Sequence, residues 1–181
     1  MKRMHFLVLA LILFPFSQVF PHARIVNSGN LVPRSNSPGL KTGPCGGVQR
    51  SQNPTILLRG SSLEVQWEET INHPGRFEFY FSPGGDQNFV LLQTVPDTQN
   101  DNNDLPHQYT TTLQLPDMEC SDCTIQMIQV MTENPAMPSN YYSCADIELR
   151  SDINTPPVDD PPPPPPNSDP PPSPAPDNCE H

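Results

Sequence analysis

Positive charge is scarce in this chain. Nine Lys and Arg stand against twenty Asp and Glu, for a formal net charge of −11. A nucleic-acid binder needs a basic surface to neutralise phosphate, and an anionic membrane surface makes the same demand, so both partner classes are excluded. The motifs of the familiar enzyme classes are missing too: there is no GxSxG elbow, no phosphate-cradling glycine loop, no HExxH and no paired-carboxylate arrangement. Helical periodicity is hard to find anywhere. Beyond the first twenty residues no run is apolar enough to cross a bilayer.

The one long apolar run, "FLVLALILFPF" from Phe6 to Phe16, follows Lys2 and Arg3. A basic start and a short apolar core read as a cleaved secretory leader, over residues 1–21, so the protein is expected outside the cytoplasm, extracellular or periplasmic. Cleavage before His22 places Val19 at −3 and Pro21 at −1; cleavage after Ser17 or after Ala23 are the alternatives. At the other end, thirteen of the 26 prolines lie between Pro156 and Pro176. Such a segment cannot bury a core, and reads as a disordered, extended tail over 154–181 that could reach on the order of 80 Å. One domain, residues 22–153, lies between.

Alternation with period two marks half-buried strands. It is seen in "SSLEVQW" (Leu63, Val65, Trp67), "FEFYF" (Phe77, Phe79, Phe81), "YTTTLQL" and "ADIELR", with "FVLLQTV", "CTIQMIQVM" and "ARIV" completing the set. Turn clusters such as "NHPG" and "SPGGDQN" separate them. Seven or so short strands predict an all-β chain, an antiparallel β-sandwich of immunoglobulin or fibronectin type III kind. Trp67 and the three phenylalanines supply much of its core, and Asn27 to Gly47 form a long irregular loop near its N-terminus.

The cysteines fit an oxidising compartment. Cys45, Cys120, Cys123 and Cys144 are an even four within the domain, with Cys179 left over. No second CxxC and no βαβ pattern accompany Cys120 and Cys123, so a structural role is preferred. Of the three pairings that four cysteines allow, Cys45 with Cys144 and Cys120 with Cys123 is preferred.

Histidines are the remaining source of chemistry. As a first residue, His22 would offer its α-amine and ring Nδ1 together, a chelating pair that a second imidazole completes as a planar set of three nitrogens. Copper suits such a set, whereas zinc prefers more ligands in a tetrahedron. His73, in the turn "TINHPG" ahead of a strand, is the best second ligand, although a turn histidine by itself is merely a solvated polar residue. His107, after an acidic Asn-rich loop, reads as exposed, and His181 belongs to the tail.

At this point the residues resemble a family. A leader followed by "HARIV", the loop "KTGPCGG", the turn "WEETINHPG" and the pair "CSDCTIQMIQVM" and "NYYSCADIEL" together look like the lytic polysaccharide monooxygenase superfamily. The likeness is strongest to its bacterial chitin-binding-type and monooxygenase-like members, and runs over residues 22–150. It implies a histidine brace holding copper, with His22 supplying amine and Nδ1 and His73 the third nitrogen. It places Tyr141, three residues before Cys144, axial to the metal, with Tyr142 as a neighbour. Oxidative cleavage of glycosidic bonds in chitin or cellulose-like polymers, by a secreted monomer, is the implied activity. Ser139 stands where fungal members often carry glutamine, and no row of exposed aromatics is evident. A copper-binding homeostasis protein and a metal-free adhesion module are therefore kept as alternatives.

Overall fold

A computed structural model of the chain describes residues 22–99 and 101–153. The leader over 1–21 and the tail over 154–181, with Cys179 and His181, lie outside the described residues. Eight strands follow one another: β1 (Ala23–Ile25), β2 (Thr55–Leu58), β3 (Ser62–Glu69), β4 (Gly75–Ser82), β5 (Val90–Pro96), β6 (His107–Gln114), β7 (Cys120–Met131) and β8 (Ser139–Arg150). They form two sheets, β1-β3-β6 and β2-β8-β7-β4-β5, packed as a sandwich.

The alternation seen in the sequence decides which side chains meet between the sheets. Leu63, Val65 and Trp67 of β3 face Phe77, Phe79 and Phe81 of β4, and all six are buried. Trp67 lies edge-on to Phe77 and Phe79, at 5.4 and 5.0 Å between centroids, and stacks on Tyr109 at 5.3 Å. Aromatic area on this scale dominates a small core, and truncating such a ring costs about 3–5 kcal/mol.

Two features differ from the sequence expectation. Thr55–Leu58 forms an eighth strand that the alternation search passes over, because only four residues pair. It runs parallel to β8, the one parallel pairing among the described residues, whose other neighbouring strands are antiparallel. The second difference is β8 itself, which begins at Ser139 and so includes the "NYYSC" segment as well as "ADIELR".

The long loop from Val26 to Pro54 is held against β8 rather than left loose. Pro33 bridges Ala145, Arg34 N–H donates to Cys144 O at 2.8 Å, and Tyr142 N–H donates to Leu40 O at 2.8 Å. The buried Arg34 guanidinium grips Asp86 and Asp146, with Nη2 at 2.7 and 2.6 Å from their oxygens. Cys45 is bridged to Cys144 with Cα atoms 5.4 Å apart, and Cys120 is bridged to Cys123. These ties bring Lys41 and the "TGPCGG" run beside the start of β8.

Candidate metal centre

Three rings gather at one end of the sandwich. His22 immediately precedes β1, and its carbonyl accepts hydrogen bonds from Thr70 N–H at 3.4 Å and Thr70 Oγ1–H at 3.0 Å. Thr70 belongs to the β3–β4 turn that also carries His73, so these hydrogen bonds join the two histidine-bearing segments directly. The imidazoles lie 5.3 Å apart between centroids and within 5° of parallel. Tyr141, buried near the start of β8, stacks on His22 with centroids 3.3 Å apart and a 14° tilt. Lys41 Nζ stands 5.0 Å over the Tyr141 ring. All three residues singled out in the sequence thus stand together.

The unpartnered ring nitrogen of His22 is the telling feature. His22 Nδ1 is buried and has no hydrogen-bond partner among the described residues. A polar nitrogen left so costs on the order of 1–3 kcal/mol unless something binds it. Burial pushes the His22 pKa down to about 4, with the nearby His73 and Lys41 acting in the same direction and Glu133 opposing them. The ring is therefore a neutral lone-pair donor at ordinary pH. His73 engages Glu133 through Nδ1, so Nε2 is the nitrogen not used in that contact. A carboxylate holding the far nitrogen fixes tautomer and ring orientation, as it does for metal-bound histidines generally.

Beneath the rings lies a polar layer that the sequence reading missed. Glu69 is fully buried; its Oε1 accepts from Gln129 Nε2 at 2.7 Å and from the His73 main-chain N–H at 3.3 Å. Gln129 Oε1 in turn accepts from Ala23 N–H at 2.9 Å. Glu69 Oε2 lies 3.2 Å from His107 Nδ1, and His107 Nε2 meets Asn103 O at 3.1 Å. Burial, helped by Asp97, pushes the Glu69 pKa up to about 7, while its own hydrogen bonds from His107 and His73 pull the other way. The expectation for His107 is corrected here: it is 3% exposed, because Glu69 and Asn103 satisfy both ring nitrogens inside the fold. The signal was present in the alternation. Carried two residues further, the inward faces of β3, β6 and β7 reach Glu69, His107 and Gln129.

Among the described residues no group of three His, Cys, Asp or Glu side chains is gathered so as to hold a metal ion. The two imidazoles, of His22 and His73, lie side by side without a third such side chain.

A family model described as "lytic polysaccharide mono-oxygenase, cellulose-degrading" matches residues 18–147, well over half of the chain. The chain belongs to the lytic polysaccharide monooxygenases. Among solved structures, a cellulose-active lytic polysaccharide monooxygenase in complex with copper is similar at 25% identity, covering 57% of this chain and 56% of that one, with a TM-score of 0.43. A second, from Streptomyces lividans, is 19% identical over 59% of this chain and 69% of that one, at a TM-score of 0.44. A third, important for chitin utilization in Cellvibrio japonicus, is 17% identical over 57% and 58%, at 0.40. The chain spans only a little over half the length of the first of these. No curated protein matches it.

Of the chain's exposed large hydrophobic residues, none among the described ones is aromatic; Met137, 74% exposed in the β7–β8 turn, is the most prominent. Ser139 opens β8 opposite Met131. Tyr142, next to the stacked Tyr141, takes the other side of the strand and lies against Gly43. Among the described residues no helix is long and apolar enough to cross a membrane.

Proposed function

We propose that the protein is a secreted copper-dependent monooxygenase acting on a neutral polysaccharide. The observation that carries this reading is the buried, unpartnered Nδ1 of His22, set beside a second imidazole 5.3 Å away between centroids. In this reading residues 1–21 are removed on export, and the α-amine of His22 becomes the third nitrogen. His22 then binds through amine and Nδ1, and His73 through Nε2. Tyr141, buried and stacked on His22, would shield the bound ion from water. Nitrogen donors without thiolate or a carboxylate cluster suit copper in preference to zinc or calcium. Bound copper would supply one-electron chemistry with dioxygen or peroxide, directed at a C–H bond beside a glycosidic linkage. The chain's own part is to hold the nitrogens rigid, keep His22 unprotonated and fix the His73 tautomer through Glu133.

Cellulose is the first polymer to try, in view of the matched family's description, and chitin the second. Residues 22–153 act as the catalytic domain, as a monomer, with 154–181 as a spacer. The test is direct. The processed protein should bind one Cu(II) with a nitrogen-rich paramagnetic spectrum, and His22→Ala or His73→Ala should each weaken binding steeply. Unchanged affinity in both variants would overturn the metal assignment. With copper, a reductant and peroxide, oxidised oligosaccharides should be released from one of the two polymers. Tight copper binding with no release from any polymer would favour the second reading, copper handling without catalysis, for which the lack of exposed large aromatics among the described residues speaks.

A further inference from the structure

We infer that Glu69 is the positioning residue that sets the spacing of the two histidine-bearing segments, acting through Gln129; this rests on the copper reading above. The two histidines are 51 residues apart in number and sit on segments of different kinds, one a chain terminus after the proposed processing and the other a turn. A terminus frays unless its main chain is tied down. Ala23 N–H is the first amide after His22, and its acceptor is Gln129 Oε1 at 2.9 Å. The other end of the same Gln129 amide donates to Glu69 Oε1 at 2.7 Å, and that oxygen also accepts the main-chain N–H of His73 at 3.3 Å. One buried carboxylate oxygen therefore anchors both segments, directly for His73 and through one amide side chain for His22.

The carboxylate is itself held. Cross-strand register places His107 opposite Glu69 on β6, and Ala23 opposite it on β1. Asn103 O can only accept, so His107 Nε2 carries its hydrogen, and one proton is shared along the contact between Nδ1 and Glu69 Oε2. Every polar atom of Glu69, Gln129 and His107 that bears on the site then has a partner, which is the condition for a buried polar layer to rigidify a structure.

Hydrogen bonding, not charge, does the positioning, and this makes the conservative variant informative. In Glu69→Gln the amide oxygen can still accept from His73 and Gln129, while its N–H₂ donates to His107 Nδ1. In Glu69→Ala all three partners are lost. In Gln129→Leu only the link to Ala23 and the donor to Glu69 are lost.

Amide hydrogen exchange of the copper-free processed protein is the first measurement. Glu69→Ala should speed exchange at both Ala23 and His73 by roughly tenfold or more, Gln129→Leu at Ala23 alone, and Glu69→Gln at neither. Cu(II) affinity and the paramagnetic spectrum are the second. Affinity should fall about 10–100-fold in Glu69→Ala and in Gln129→Leu with altered copper–nitrogen couplings, and stay within a few-fold of wild type in Glu69→Gln. Unchanged protection of both amides in Gln129→Leu and Glu69→Ala, or an equal affinity loss in Glu69→Gln, would overturn the inference. Should Glu69→Ala fail to fold, Gln129→Leu and Glu69→Gln still decide it. If the wild type binds no copper, the functional reading falls, and the exchange data judge the positioning separately.

Discussion

His22 and Tyr141 lie ring on ring, 3.3 Å between centroids, with the tyrosine all but buried beneath the end of the sandwich. Tyr141 is therefore both a wall of the candidate centre and part of the packing. Tyr141→Ala should cost about 3 kcal/mol in denaturant unfolding, as for other buried aromatics, and should open His22 to water. Tyr141→Phe keeps the stack and should leave stability within about 1 kcal/mol. Equal losses in the two variants would show that the hydroxyl, not the ring, matters here.

Processing can be read from the secreted protein's mass. The expected N-terminus is His22, measured by intact mass spectrometry or N-terminal sequencing. A protein engineered to retain one extra residue ahead of His22 should bind Cu(II) at least ~100-fold more weakly, because its amine is displaced from the ring nitrogen. Equal affinity would mean that the amine is not a ligand.

The two disulfides should contribute very unequally. Cys45–Cys144 spans 99 residues, and Cys120–Cys123 only three. Loop-closure entropy predicts about 4.7 kcal/mol for the first and about 2 kcal/mol for the second. Paired alanine replacements, compared by chemical denaturation, should preserve that order. A larger loss from Cys120/Cys123 would show that its role is not that of a chain constraint.

Gly75 opens β4 two residues after His73, and a Cβ there would fall 2.2 Å from Val130 O. The obstruction is backbone, so the strand must shift. Gly75→Ala should lose more than ~2 kcal/mol of stability and weaken copper binding through displacement of the His73 turn. Thermal melting and copper titration check both effects; a neutral outcome would contradict the close β4–β7 approach.

Acid should loosen the long loop. The hydrogen bond from Arg34 holds the Asp86 carboxyl below its ordinary pKa, against the opposing effect of burial. A depressed carboxyl pKa gives stability that is present above the unfolded value near 3.8 and is lost as pH falls through the folded one. Stability should therefore drop below about pH 4, and Asp86→Asn should be less stable at pH 7 while showing a shallower acid limb. Parallel pH profiles in the two proteins would remove Asp86 from the acid transition.

Much of this protein was legible before folding was considered. Alternation alone determined the strands that carry Trp67 and Phe77, Phe79 and Phe81, because period two is a local property of an extended chain. The residue types of His22 and His73 likewise suggested a pair of nitrogen donors, whereas Tyr141 was pointed to by the family resemblance alone. The tertiary structure decided what local pattern cannot. It made β2 a strand through parallel pairing with β8, a partner some ninety residues away. It also buried Glu69, Gln129 and His107, whose polarity suggests solvent until their partners, 38 and 60 residues distant, are known. A buried polar side chain is stable only when its hydrogen bonds are met, and those partners are set by register between strands, not by neighbours in sequence.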